Sequence, residues 1–198
     1  MITRESLVLL YCKKGLSVPA IASRLHCSEH KVNYWLSKFN IPKRSISDAL
    51  YKKWNPHGDP FSVRRPKTVE EGILYGLGVG LYWGEGTKAS KSSIKLGNTD
   101  PELMRMFVKF LVVFYAIDRK RLRFALQVFG DMDVEASVRY WVRALSVSRK
   151  QFYRKIIVTP HRGIGNYRKK TKYGVLTVYF NNTKLCDILR NAIQEVAK

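Results

Sequence analysis

VEEGILYGLGVGLYWGEGTK, residues 69–88, decides how the rest of the chain is read. Gly72, Gly76, Gly80 and Gly84 recur every four residues, with Gly78 between them and Gly86 after. That spacing puts positions on one face of an α-helix, so the four glycines form a stripe without side chains. Each glycine inside a helix costs about 1 kcal/mol relative to alanine, and five of them forfeit roughly 5 kcal/mol. A helix carrying that loss needs a compensating contact, and a smooth stripe lets another backbone approach closely. The membrane form of this packing is excluded, because the apolar run is too short to span and Glu85 lies inside its end. Phosphate loops are excluded as well. Neither G-x-x-x-x-G-K-[ST] after a strand nor G-x-G-x-x-G between strand and helix occurs here.

Within this stretch GVGLYWGEG, residues 78–86, resembles the LAGLIDADG motif of homing endonucleases of the single-motif type. Gly80-Leu81 and Gly84-Glu85-Gly86 match its glycine-leucine and its small-acid-glycine end. The departures are Gly78-Val79 for Leu-Ala and Tyr82-Trp83 for Ile-Asp, and they fall within the packing helix. The resemblance implies that two such helices pack across a twofold axis and that the acid at each lower end binds catalytic divalent metal. It assigns Glu85 as catalytic residue and metal ligand, with Mg²⁺ or Mn²⁺ as cofactor. Because only one motif occurs, two acids imply a homodimer joined through the helix bearing Gly72, Gly76, Gly80 and Gly84. The chemistry is consistent: phosphodiester hydrolysis draws on divalent ions to activate water and neutralise charge, and hard Mg²⁺ prefers carboxylate oxygens. Lys88, three residues beyond the acid, is a candidate for steadying transition-state charge.

Downstream the pattern alternates between strand and helix. Residues 92–98 read as a strand with Ile94 and Leu96 inward, and Leu103, Met106, Phe107, Phe110, Leu111 and Phe114 keep an α-period. Residues 121–129 alternate, with Leu122, Phe124, Leu126 and Val128 on one face. A helix over 132–146 follows, then strands near 152–158 and 174–180 around a basic loop, then a last helix from Leu185 to Val196. This is α+β, with helices on one face of a mostly antiparallel sheet. The resemblance makes that sheet a saddle over the major groove; the helix at 132–146 departs from the family's minimal α-β-β-α-β-β-α plan. The other sheet face is then open and cationic, and strand parity puts Lys95, Arg123, Gln127, Lys155, Thr177 and Tyr179 there as candidate DNA contacts. The loop adds Arg162, Arg168, Lys169, Lys170 and Lys172 as candidate phosphate contacts.

Upstream, residues 1–50 read as a small all-α helix-turn-helix domain. Leu7, Leu10 and Tyr11 line a first helix that Gly15 stops, and Ile21, Ala22 and Leu25 line a second that opens near Pro19. Ser28 is a good N-cap for a third helix, with Val32, Trp35 and Leu36 inward. Two short helices with a tight turn and a cap are the helix-turn-helix pattern, whose second helix enters the major groove. IASRLHCSEHKVNYWL, residues 21–36, resembles the modules of resolvases and bacterial regulators, with His26 where a glycine is usual. His30, Lys31, Asn33 and Tyr34 are its candidate DNA contacts. Residues 51–67 carry Pro56, Gly58, Pro60 and Pro66 without periodicity, and are read as a basic, proline-stiffened linker that either follows phosphates or only tethers. Residues 68–198 are then the endonuclease-like domain.

Composition supports a polyanionic partner. The 198 residues hold 36 Lys and Arg against 15 Asp and Glu, net +21. Residues 1–67 carry 13 basic and 4 acidic side chains, net +9, and residues 68–198 carry 23 and 11, net +12. A field of that sign, shared by both parts, steers nucleic acid. No signal peptide, basic anchor helix or spanning run is found, so no membrane role is expected and the cytoplasm, at the nucleoid, is the expected location. Cys12, Cys27 and Cys186 and the four histidines show no zinc-ligand spacing. No small-molecule cofactor is expected. The leading expectation is a sequence-specific, Mg²⁺-dependent double-stranded DNA endonuclease. The alternative is a non-cleaving DNA-binding regulator on the same fold; an RNA-binding splicing helper lacks the stacking motifs of RNA modules.

Overall fold

The structure, a computed structural model, describes residues 2–160 and 171–196. It divides into two compact units, residues 1–60 and 61–198.

In the first unit, α1 (Arg4–Leu7) is opened by a Thr3–Ser6 capping box and widens into a π-helical stretch, Val8–Lys13, ended by Gly15 at φ +67. α2 (Val18–Arg24) starts on Ser17, whose hydroxyl accepts from the Ala20 amide, with Pro19 in its first turn. The turn after α2 is made without glycine, because His26 itself adopts the left-handed conformation, φ +49. Ser28 then caps α3 (Glu29–Lys38) by accepting from the Lys31 amide at 3.2 Å. Leu7, Leu10, Tyr11, Ile21, Ala22, Val32, Leu36 and Ile41 form the core. Arg44 closes the unit: its guanidinium donates to the carbonyls of Tyr11, Gly15 and Leu16 and stacks 4.1 Å above the Tyr11 ring. A cation there satisfies carbonyls left over at a helix C-terminus.

The expected linker is not one free segment. Ser45 caps a fourth helix, α4 (Ile46–Trp54), which occupies its first residues. Its last residues strap onto the second unit. The Ser62 and Arg64 amides donate to the carbonyls of Tyr115 and Phe114, and the Arg64 guanidinium grips Glu71 through two bonds of 3.0 and 2.8 Å. Two helix-end carbonyls and a carboxylate organise a stretch that has no hydrophobic period of its own.

The second unit is built from α5 (Val69–Glu85), β1 (Ser93–Asn98), α6 (Pro101–Tyr115), β2 (Arg123–Phe129), α7 (Val134–Leu145), β3 (Ile157–Thr159), β4 (Val175–Asn181) and α8 (Thr183–Val196). The sheet order is β1-β4-β2-β3. β4 runs antiparallel to β1 and β2, whereas β3 runs parallel to β2. The sheet is thus mixed and mostly antiparallel, with one parallel pair: α7 carries the chain back to the starting end, so the next strand repeats the direction of β2. β3 is also shorter than the expected 152–158, because Arg149–Gln151 form a 3-10 turn and Phe152 only bridges to Phe124. After α5, Gly86 bridges Leu96 and the Thr87 amide donates to the Lys95 carbonyl, so the chain leaves the helix along the free side of β1. Ile94, Leu96, Phe124, Leu126, Val128, Leu176, Val178 and Phe180 face one core with α5, α6, α7 and α8. No helix among the described residues of this unit packs on the opposite sheet face. Among the described residues no helix is long and apolar enough to cross a membrane.

Candidate nucleic-acid interface

Strand register aligns the open face into rows. Lys95, Tyr179 and Arg123 stand side by side across β1, β4 and β2. Gly97, Thr177 and Ala125 form the next row, and Val175, Gln127 and Ile157 the one after. Rows are two residues apart along each strand, about 6.6 Å. The middle row is low, since a Cβ on Gly97 would lie only 2.9 Å from the Thr177 hydroxyl oxygen. Five of the expected contacts, Lys95, Arg123, Gln127, Thr177 and Tyr179, therefore share one surface.

These side chains are oriented. The Lys95 ammonium lies 5.6 Å from the Tyr179 ring centre, and Tyr153 meets that ring edge-on at 5.5 Å. Burial, with a smaller contribution from the Tyr153 phenol, lifts the Tyr179 pKa above its usual value, so its hydroxyl keeps its proton at neutral pH. Arg123 donates from Nη1 to the Lys120 and Leu122 carbonyls, and Gln127 donates from Nε2 to the Thr159 hydroxyl at 2.9 Å.

Lys155 is a correction. It is exposed but lies in the irregular segment before β3, so strand parity does not place it on the open face. Lys172 is exposed next to Tyr173, its ammonium 5.5 Å from the ring centre. Arg162, Arg168, Lys169 and Lys170 lie outside the described residues. Tyr153 and Thr159 were missed, because a strand drawn over 152–158 gives the wrong ends and pairing.

On α5 the glycines divide into two kinds. A Cβ on Gly78 would fall 2.1 Å from the Phe110 ring, so this glycine seats α5 against α6. Gly72, Gly76, Gly80 and Gly84 have no described atom within 4 Å of such a Cβ. Beside them Val69, Ile73, Leu77 and Trp83 are exposed. The outer face of α5 is thus apolar and smooth, with no described atom against its four glycines.

At the end of that helix Glu85 is exposed, and its carboxylate makes no hydrogen bond or ion pair with any described residue. Lys88 turns back instead, donating its ammonium to the Trp83 carbonyl, where it caps the last turn of α5. Among the described residues no group of three or more His, Cys, Asp or Glu comes together. A hard divalent ion is held by one or two carboxylates together with waters and substrate phosphate oxygens, so Glu85 is a minimal ligand and a second acid brought to it would complete the site.

On α3, His30, Lys31 and Tyr34 are exposed and Asn33 is half-buried. Tyr34 packs edge-on to Trp35, and the Lys38 ammonium lies 5.7 and 4.8 Å from the two ring centres. Lys38 was missed; its position four residues after Tyr34, one helical turn on, was the available signal.

Residues 2–50 match the model of the homeodomain-like domain. No curated protein and no solved structure matches the chain. The first unit is thus a homeodomain-like helix-turn-helix, a module associated with DNA binding.

Proposed function

We propose that the chain is a sequence-specific double-stranded DNA endonuclease, active as a homodimer in which each copy supplies one Glu85. Glu85 carries this reading. A carboxylate with no partner among the described residues, on a protein of net +21, repels the phosphates that the rest of the surface attracts. The conflict disappears if a divalent cation sits between acid and phosphate. Bound Mg²⁺ or Mn²⁺ would activate water and neutralise charge developing on the phosphodiester.

The chain's own residues have separable roles. The four open glycines of α5, with Val69, Ile73 and Leu77 beside them, form a self-complementary face for the same helix of a second copy. Pairing there brings the two Glu85 carboxylates to one locus, and Lys88 holds the helix end that presents them. The rows of the open sheet contact bases and phosphates, and α3 contacts DNA through His30, Lys31 and Tyr34. The order of elements supports the resemblance to LAGLIDADG domains. With Gly86-Thr87 counted as the partner of β1, and α7 with β3 set aside as an insertion, the second unit runs α-β-β-α-β-β-α.

A non-cleaving regulator is the second reading, favoured by the match being confined to the helix-turn-helix. Supercoiled plasmid carrying DNA that flanks the gene separates the two. Wild type with Mg²⁺ is expected to give discrete cuts, lost with EDTA and lost in Glu85→Gln. Plasmid that is retarded but uncut, alike for both proteins, leaves the regulator.

A further inference from the structure

We infer that Gln127 and Thr159 form a unit that selects an adenine, Gln127 reading the base and Thr159 holding it in position. The inference rests on the open sheet face lying against DNA, as proposed above. Gln127 is the exposed polar side chain of its row, between half-buried Val175 and the apolar Ile157 of the edge strand. Its amide is held: Nε2 donates to the Thr159 Oγ1 at 2.9 Å, from the residue two places beyond Ile157 on the same face. One N–H of the carboxamide is used in that bond. Among the described residues nothing else engages the second N–H or Oε1, a donor and an acceptor side by side in one plane.

That pair is the complement of one base edge. Adenine offers an acceptor at N7 and a donor at N6 in the major groove, whereas guanine offers two acceptors at N7 and O6. A glutamine free to rotate could present its carboxamide either way round. The bond to Thr159 restrains the carboxamide on the protein side, so part of the ordering cost is met before DNA arrives. The neighbouring row leaves room for the approach, since Gly97, Thr177 and Ala125 carry only small side chains. Arg123, the other long polar side chain on β2, has Nη1 committed to two backbone carbonyls and keeps only donors, whereas Gln127 keeps a donor beside an acceptor.

The test is selection of binding sites from a duplex library with randomised base pairs, using the full chain, in Ca²⁺ to suppress cleavage. Wild type is expected to select a motif with one adenine preferred by about ten- to a hundredfold, the discrimination of one bidentate contact. Gln127→Ala keeps the rest of the motif and loses preference at that position alone. Gln127→Arg moves the preference there from adenine to guanine, a gain that misfolding cannot produce. Thr159→Val, which keeps the shape and removes the hydroxyl, keeps adenine with weaker discrimination. Recovery of the wild-type motif with Gln127→Ala or Gln127→Arg overturns the reading role. Undiminished discrimination in Thr159→Val overturns the positioning role. Selection by wild type of a motif that survives deletion of every open-face side chain overturns the sheet–DNA reading itself, and this inference with it.

Discussion

Helices α3 and α5 are both one-sided, in opposite senses. α3 buries Val32 and Leu36 and shows solvent His30, Lys31, Tyr34 and Lys38. α5 buries Gly78, Val79 and Tyr82 and shows solvent Val69, Ile73, Leu77 and Trp83 among four glycines. The apolar side of α3 is used up inside its own unit, and what remains outside is polar and suited to a polar, anionic partner. The outside of α5 is a second apolar side with no use for water, and its glycines weaken the helix unless something packs on them. One helix belongs to a complete module; the other has the surface that the proposed homodimer would use as half of its interface.

Substitutions can break or sharpen that contrast. The largest effect is expected where α3 is complete: Leu36→Ala, fully buried, should lose about 2–5 kcal/mol of stability, measured by urea unfolding. On α5 the two kinds of glycine should respond with opposite sign. Gly78→Ala drives a methyl into Phe110 and should destabilise by about 1–3 kcal/mol. Gly76→Ala meets open space and should stabilise an isolated copy by about 1 kcal/mol, while weakening self-association. Equal losses at both positions would mean that the outer stripe is already filled. Ser28→Ala removes the cap of α3 and should cost about 1 kcal/mol, read from the thermal midpoint.

The smallest effect concerns acid. The Arg64 guanidinium, then the Lys67 amide, hold the Glu71 carboxyl below its usual pKa. A lowered folded pKa gives stability that is present above the unfolded value, 4.5, and is lost as pH falls through the folded one. Wild type and Glu71→Gln should therefore differ in thermal midpoint at pH 6 and converge in strong acid. A difference that persists there would assign the Arg64 strap to packing alone.

The contrast also shows which features could be read from sequence. Helix periods, the Ser28 cap and the alternation in β1, β2 and β4 are local patterns, and they placed five DNA-facing candidates on one surface. Features set by distant partners were not readable. Arg44 looks like one more basic residue until three carbonyls at and beyond the end of the first helical stretch surround it. That Lys88 folds back to donate to the Trp83 carbonyl is not readable from its place three residues after the acid. Residues 61–67 lack any period because helix-end carbonyls and Glu71 organise them. The direction of β3 follows from α7, yet its short length follows from the 3-10 turn before it, which no alternation announces. Gly78, two residues out of phase with the stripe, already falls on the opposite helix face in sequence; that this face meets the ring of Phe110 is what only the structure supplies.

The account stands most directly on whether the outer face of α5 joins two copies. Sedimentation equilibrium of the full chain, alone and on a DNA duplex, measures this against Gly76→Leu/Gly80→Leu. The expected result is a wild-type mass of twice 22.9 kDa, with the double variant sedimenting as a single folded chain. Wild type that remains a single chain in both conditions would contradict it, since each site would then hold one acid and the glycine stripe would face only water.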